Sequence, residues 1–275
     1  MQPGDVHDPL LRQVWPWPQE SDAVAGYSQD PVGELPQRMS PGVIQKYRGR
    51  ALLVLSGACA VHCRYCFRRH FPYEETPSSP SQWQPQLQML SADDSLRELI
   101  LSGGDPLSLR DDSLAVLLDS IAKLPHLRRL RIHTRLPVVI PQRVTDSLLE
   151  MLQAFPRAVV CVVHLNHARE LDESLAESLR KLRMAGVVLL NQAVLLKGVN
   201  DRVDTLVDLS ERLIDCGIVP YYLHQLDRVA GAAHYEVPES TGRRLVAAMR
   251  AQLPGYAVPA YVRDEAGAPH KLSLE

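Results

Sequence analysis

No apolar run in this chain approaches the length of a membrane-spanning helix. The N-terminus also lacks the basic start and apolar core of a signal peptide. Neither charge is in excess: 30 Lys and Arg against 32 Asp and Glu give a formal net charge of −2, so there is no general electrostatic case for nucleic acid. Aromatics are scarce, at 5%, so the core has to be built from Leu, Val, Ile and Ala. Cysteines number five, and without an export signal they are expected to be free thiols in a reducing cytoplasm. What remains is 275 residues, 45% hydrophobic, the composition of an ordinary globular protein of one large domain or two small ones.

The few cysteines are unevenly placed. Three of the five fall in Cys59-Ala60-Val61-His62-Cys63-Arg64-Tyr65-Cys66, a C-x3-C-x2-C spacing. The apolar run Ala51–Leu55 leads into it and Ser56-Gly57 breaks that run, which puts the cysteines on a loop after a buried strand. Thiolates bind soft metals, and three of them on a cubane iron–sulfur cluster leave one iron open for a small molecule. A zinc site completed by His62 or His70, and a disulfide framework, are the competing readings. Cys161, placed in a strand, and Cys216, at a helix end, read as packing residues.

From residue 51 a rhythm sets in. Strand-like runs begin near Ala51, Glu98, Arg129, Ala158, Val187 and Ile218. Helix-period segments lie at Asp111–Leu124, Pro141–Ala154, Leu171–Ala185, Asp201–Cys216 and Pro238–Leu253. Asp201 is placed to cap a helix, and Gly186 and Gly217 to stop one. Strand–helix units of this length predict an α/β fold, an incomplete (βα)6 TIM-like barrel; a doubly wound sheet is the alternative. The expected division is an N-terminal helical extension (1–45), a barrel (46–254) and a C-terminal segment (255–275). In the Pro-rich extension a short helix is expected at Asp22–Tyr27, with Val14, Trp15, Trp17, Val24 and Val32 anchoring an ordered cap.

Every strand end is polar. The cysteines follow the first strand and Ser102-Gly103-Gly104-Asp105-Pro106 the second. His133-Thr134-Arg135, His164 with Asn166-His167, Asn191-Gln192 and His224-Gln225-Leu226-Asp227 follow the others. Barrel chemistry gathers at such ends. Arg68, two residues past the last cysteine, offers a planar fork suited to a carboxylate.

The cysteine spacing resembles the signature of the radical S-adenosylmethionine (SAM) enzymes. The ordered set Lys46–Arg50, Cys59–Arg69, Ser102–Leu107, Thr134–Gln142, Asn166-His167, Asn191–Asp201, Tyr221–Asp227 and Val258–Lys271 is similar to the lysine 2,3-aminomutase family. Within that family it most resembles the short bacterial branch that prepares β-lysine for elongation factor P. The resemblance implies that Cys59, Cys63 and Cys66 hold a 4Fe-4S cluster. Gly103, Gly104 and Asp105 would line the methionyl end of SAM, and Lys271 would form a Schiff base with pyridoxal 5′-phosphate (PLP). Arg50, with Lys46, Tyr47, Asn191 and Gln192, would surround PLP and its phosphate; His167 would help position it. Lys46 stands where longer members carry arginine, which removes a two-point phosphate contact there. Arg68 would bind the substrate carboxylate, and Asp227 and Asp264 the far ammonium of lysine.

The implied reaction suits these residue types. Moving an amino group from Cα to Cβ means breaking an unactivated C–H bond, which no side-chain base can do, so cofactors carry the hard steps. The expected protein is a cytoplasmic isomerase that turns L-lysine into β-lysine, of the R form, for the ligase that modifies elongation factor P. Four residues after Lys271 the sequence given stops short of the zinc-bearing segment of longer members, from which a homodimer is expected. A mutase for another amino acid, or a non-catalytic iron–sulfur or zinc protein, are the alternatives.

Overall fold

The computed structural model describes residues 1–275. Ten strands form one sheet, in chain order from edge to edge. They are β1 Arg38–Ser40, β2 Val43–Tyr47, β3 Arg50–Val54, β4 Glu98–Ser102, β5 Arg129–Thr134, β6 Ala158–Val163, β7 Val188–Val194, β8 Val219–His224, β9 Ala260–Arg263 and β10 Leu272–Ser273. Strands β3 to β9 pair in parallel; β1–β2, β2–β3 and β9–β10 are antiparallel. The helices are α1 Pro9–Arg12, α2 Gln84–Ala92, α3 Asp111–Ala122, α4 Leu136–Val139, α5 Asp146–Ala154, α6 Glu173–Met184, α7 Val203–Asp215 and α8 Glu239–Arg250. Strands β3 to β8, each returned by a helical crossover, are the six units of a partial TIM-like barrel.

The strands alternate between two surroundings, as a period of two requires. Leu99 and Leu101 of β4, Leu130 and Ile132 of β5, and Val159, Cys161 and Val163 of β6 join the buried core with Leu114, Leu117 and Ile121 of α3 and Leu175, Leu179 and Leu182 of α6. The intervening Ile100, Ser102, Arg131 and His133 line the barrel interior. The helix-facing positions of these three strands are thus apolar, while the interior carries most of their polar side chains. Cys161 is one of the packing residues, as its place in a strand implies.

Helix ends follow local chemistry. Asp172 accepts from the Leu175 N–H at the start of α6. Gly186 and Gly217, at φ of +82° and +73°, stop α6 and α7 with paired bonds, Val187 N–H to Leu182 O (3.1 Å) and Ile218 N–H to Leu213 O (2.9 Å). Asp201 does not cap α7: Arg202 stands at that position, with no side-chain bond. Asn200 instead shapes the approach, accepting from Leu196 N–H and donating to the Asn166 and Val194 carbonyls.

Three further expectations differ. Asp22–Tyr27 is not helical; the extension carries α1 and short 3-10 turns. Trp15 and Val24 are exposed, whereas Val32 is buried and Val14 and Trp17 are half-buried, so only part of the expected apolar set anchors the cap and polar groups add to it. Asp8 accepts from the Leu10 and Leu11 N–H groups and pairs with Arg169; Glu20 pairs with Arg64 and Arg69. Periodicity in apolar residues cannot reveal such anchors. Finally, the C-terminal segment is part of the sheet: β9 is a seventh parallel strand and β10 folds back on it.

Candidate active site

One cavity of about 570 Å³ opens inside the barrel. Cys59, Cys63 and Cys66 line it from the loop after β3, and Gly103, Gly104 and Asp105 from the turn after β4. Lys46, Tyr47, Arg50, Arg68, Gln192, Asp227, Asp264 and Lys271 complete the set that the sequence brings forward. Asn191 and His167 are not on its wall. Asn191 is buried behind it, exchanging bonds with the Leu165 backbone at 2.9 and 3.1 Å. His167 starts a 3-10 turn, its Nδ1 accepting from the Arg169 N–H at 3.1 Å.

The glycines have a local reason. Gly104 N–H donates to Ser56 O at 2.6 Å and Asp105 N–H to Ala58 O at 2.8 Å, so the turn is laid on the cysteine loop. A Cβ on Gly103 would stand 2.6 Å from Ser56 O, and one on Gly104 2.4 Å from Ala58 O. Asp105 is spent within the fold: its carboxylate accepts from Leu107 N–H, Thr134 Oγ1, Arg135 N–H and Leu136 N–H at 2.7–3.0 Å. It lines the cavity as a brace between two strand ends.

Three thiols on one loop, with no carboxylate or imidazole bonded to them, are the donor set of a cubane cluster that keeps one iron open. Burial pushes Cys66 up to about 11, and burial with the nearby Asp105 charge pushes Cys59 up to about 12. Thiols so held stay protonated until a cation displaces the proton. Arg135 stands against this loop, donating from Nη1 to Cys63 Sγ (2.8 Å) and Tyr65 OH (2.9 Å), and from Nη2 to Gln13 Oε1 (2.6 Å) and Glu170 Oε2 (2.8 Å). Asn166 Nδ2 ties Gln13 Oε1 and Tyr65 OH together at 2.9 and 2.6 Å.

Elsewhere on the cavity wall, Asp264 accepts from Lys46 Nζ at 2.6 Å and Tyr47 OH at 3.0 Å through one oxygen, and pairs with Lys271 through the other. Although burial opposes it, the adjacent Lys271 and Lys46 ammonium groups hold its carboxyl well below the usual range. Asp227 is the contrast. Its Oδ1 is shielded from water without a partner, and burial, then the charge of Asp264, push it up to about 7. Arg50 lies over the Tyr47 ring at 5.0 Å. Below them, His133, His164 and His224 present solvent-shielded Nε2 atoms with no protein partner, and desolvation keeps all three rings neutral. Lys46, Lys271, the phenol of Tyr47 and the arginine fit an anionic, carbonyl-bearing cofactor such as PLP.

Arg68 is buried and already engaged. Glu34, from the N-terminal extension, takes its Nε and Nη2 at 2.6 and 2.7 Å, and Ser102 Oγ takes Nη1 at 2.8 Å. Glu34, Gln13 and Glu170 are the residues around the site that sequence reasoning leaves out. Glu34 and Gln13 belong to a segment with no motif, and Glu170 carries no spacing that distinguishes it from a surface charge.

The class is set by the comparisons. Residues 53–210 match the Radical SAM superfamily, and the chain belongs to it. A radical SAM methyltransferase from Sphaerobacter thermophilus superposes with a TM-score of 0.57 at 17% identity, covering 85% of this chain and 73% of that one, which shows the shared fold. Within the superfamily the chain is a member of the lysine 2,3-aminomutase family. It is 46% identical to L-lysine 2,3-aminomutase of Escherichia coli K12 over all of its own length and 80% of that protein's. It is 45% identical to that of Haemophilus influenzae over 98% of its length and 79% of the relative's. With the Clostridium subterminale protein it shares 34% over 96% of its own length and 64% of the other's. The superfamily implies a 4Fe-4S cluster and SAM. No helix is long and apolar enough to cross a membrane.

Proposed function

We propose that this chain is a PLP-dependent radical SAM isomerase that moves the α-amino group of L-lysine to Cβ. Its product, (R)-β-lysine, would go to the ligase that modifies elongation factor P, with the enzyme working as a cytoplasmic homodimer. One observation carries the reading. A single cavity holds a three-thiol loop, an arginine fork, and a wall with two carboxylates and the Lys271 amine. These are the separate needs of a cluster, an amino-acid carboxylate, a second ammonium and PLP. When bound, the cluster with SAM supplies one-electron chemistry for an unactivated C–H bond, and PLP supplies the carbonyl that carries the migrating nitrogen.

The chain's own residues would then bind, orient and exclude water. Cys59, Cys63 and Cys66 would hold the cluster, with Gly103, Gly104 and the brace Asp105 shaping the bed for SAM. Lys271 would hold PLP, with Lys46, Tyr47, Arg50 and Gln192 around it. Asn191 and His167, off the cavity wall, would act only by supporting β7 and the loop after β6. Arg68 would take the substrate carboxylate and Asp227 with Asp264 the side-chain ammonium, so the cavity reads substrate length and end charges. Lys46 and Lys271 both pair with Asp264. Moving those two ammonium groups away frees its oxygens for a third. We read residues 1–45, 46–254 and 255–275 as cap, barrel and cofactor-clasping segment.

An anaerobic assay tests this. Iron–sulfur-reconstituted protein, PLP, SAM, dithionite and L-lysine should give β-lysine by chiral chromatography. SAM cleavage without β-lysine would mean a different substrate amino acid. No cleavage in cluster-loaded protein would return the chain to a non-catalytic role.

A further inference from the structure

Glu34 is a charged residue only 5% exposed, in the part of the chain with no recognisable motif. Its carboxylate takes the side edge of Arg68, at Nε and Nη2, while Ser102 Oγ takes one proton of Nη1. A guanidinium has five N–H donors. One on Nη1 and one on Nη2 are left without a protein acceptor, and these two nitrogens form the end of the fork. A carboxylate can take such a pair of donors in two-point fashion. Glu34 and Arg68 both line the cavity.

The turn that carries Glu34 is itself fixed. Asp30 accepts from Glu34 N–H at 2.9 Å and from Leu35 N–H at 3.0 Å. Gly33, at φ +64°, comes so near Ala266 that a Cβ on it would lie 2.8 Å from the alanine Cβ. Ala266 belongs to the loop between Asp264 and Lys271, so this turn of the extension abuts both Arg68 and the carboxylate wall.

We propose that Glu34 is a positioning residue that aims the free end of Arg68 at the carboxylate of the amino-acid substrate. The inference rests on Arg68 being the carboxylate ligand. Two effects of Glu34 oppose each other. Its charge weakens the attraction of Arg68 for an anion, while its two short bonds fix where the fork points. Arg68 is buried, so without Glu34 it would be a charge lacking its counter-ion and free to turn toward any other acceptor. Orientation therefore outweighs the added field. The opposite reading, an internal competitor seated where the substrate goes, would require Glu34 to occupy the fork's end, and it occupies the side.

The test compares equilibrium binding of lysine with that of cadaverine, lysine lacking its carboxylate, to cofactor-loaded protein. Glu34→Gln keeps the volume but turns an NH2 toward a donor of Arg68. It should weaken lysine about tenfold and leave cadaverine unchanged. Glu34→Asp, which keeps the charge but withdraws the carboxylate, should lose lysine affinity in the same direction. Equal weakening of both ligands would show a merely structural role, tighter lysine binding would show a competitor, and no change in either would show no role; each overturns the proposal. Arg68→Gln separates the underlying reading. If it too leaves lysine binding unchanged, Arg68 is not the carboxylate ligand. If it weakens lysine alone while Glu34→Gln has no effect, only the positioning role is lost.

Discussion

Lys271 and Asp264 meet at the mouth of one hairpin, ammonium on carboxylate, although they stand at opposite ends of the loop between β9 and β10. The same carboxylate holds Lys46 from β2. Asp264 thus joins two ammonium groups from separate elements, and a ligand that takes either amine is expected to redistribute the pairing.

Lys271→Ala should abolish retention of PLP. Cofactor-loaded protein passed through gel filtration would be read for pyridoxal absorbance and for iron. The expected outcome is loss of the first with the second unchanged, because Lys271 comes from the loop before β10 and the cysteines from the loop after β3. Retained pyridoxal would remove Lys271 from its proposed role.

Asp264→Asn should raise the KM for lysine by about tenfold or more, since a charge-assisted contact to the far ammonium is lost. PLP should still bind through Lys271. An unchanged KM sinks the assignment of Asp264 to the substrate ammonium.

Asp227 gives a pH dependence. Burial and the charge of Asp264, opposed by Lys271 and Lys46, place its carboxyl at about 7, above the ordinary value of 3.8. Only the ionised form attracts an ammonium, so lysine affinity should fall as pH drops through 7, and Asp227→Asn should flatten that profile. Stability moves the other way. A carboxyl whose folded value is raised disfavours the fold increasingly from its ordinary range up to its folded value. Asp227→Asn should therefore raise the Tm above about pH 7 and leave it unchanged below about pH 4. A Tm gain of equal size at both ends would mean that Asp227 does not titrate as described.

Gly104→Ala probes the seat of the cysteine loop. Its Cβ would lie 2.4 Å from a backbone oxygen, which no side-chain rotation relieves. Iron bound per chain after reconstitution should fall well below wild type, and Cys161→Ala, in the packed core, should leave it unchanged. Equal iron in both variants would show that the loop shifts freely.

Much of this was legible in the sequence because it is local or periodic. The cysteine loop declares itself by spacing, six strands by their apolar runs, and two helix stops by glycine at the position where φ turns positive. What was hidden lies in long-range polar pairing. Glu34 reaches Arg68 across 34 residues and Gln13 reaches Arg135 across 122, and an acidic or amide side chain in a Pro-rich stretch looks the same whether it faces water or a buried guanidinium. β9 was missed for another reason: Ala260–Arg263 is short, and the Gly and Pro around it read as a tail. The glycine pair, which the family resemblance sets against the methionyl end of SAM, has carbonyls of the cysteine loop, Ser56 O and Ala58 O, as its nearest neighbours.

The β9–β10 hairpin ties the reach of Lys271 to groups that touch no ligand. Leu274 is buried and its N–H donates to Tyr261 O at 2.9 Å, while a Glu275 carboxylate oxygen accepts from Tyr261 N–H at 2.8 Å. Residues 272–275 act as the anchor of a short cantilever that carries the Lys271 amine. Loosening the anchor would shift that amine without altering a single residue of the cavity wall.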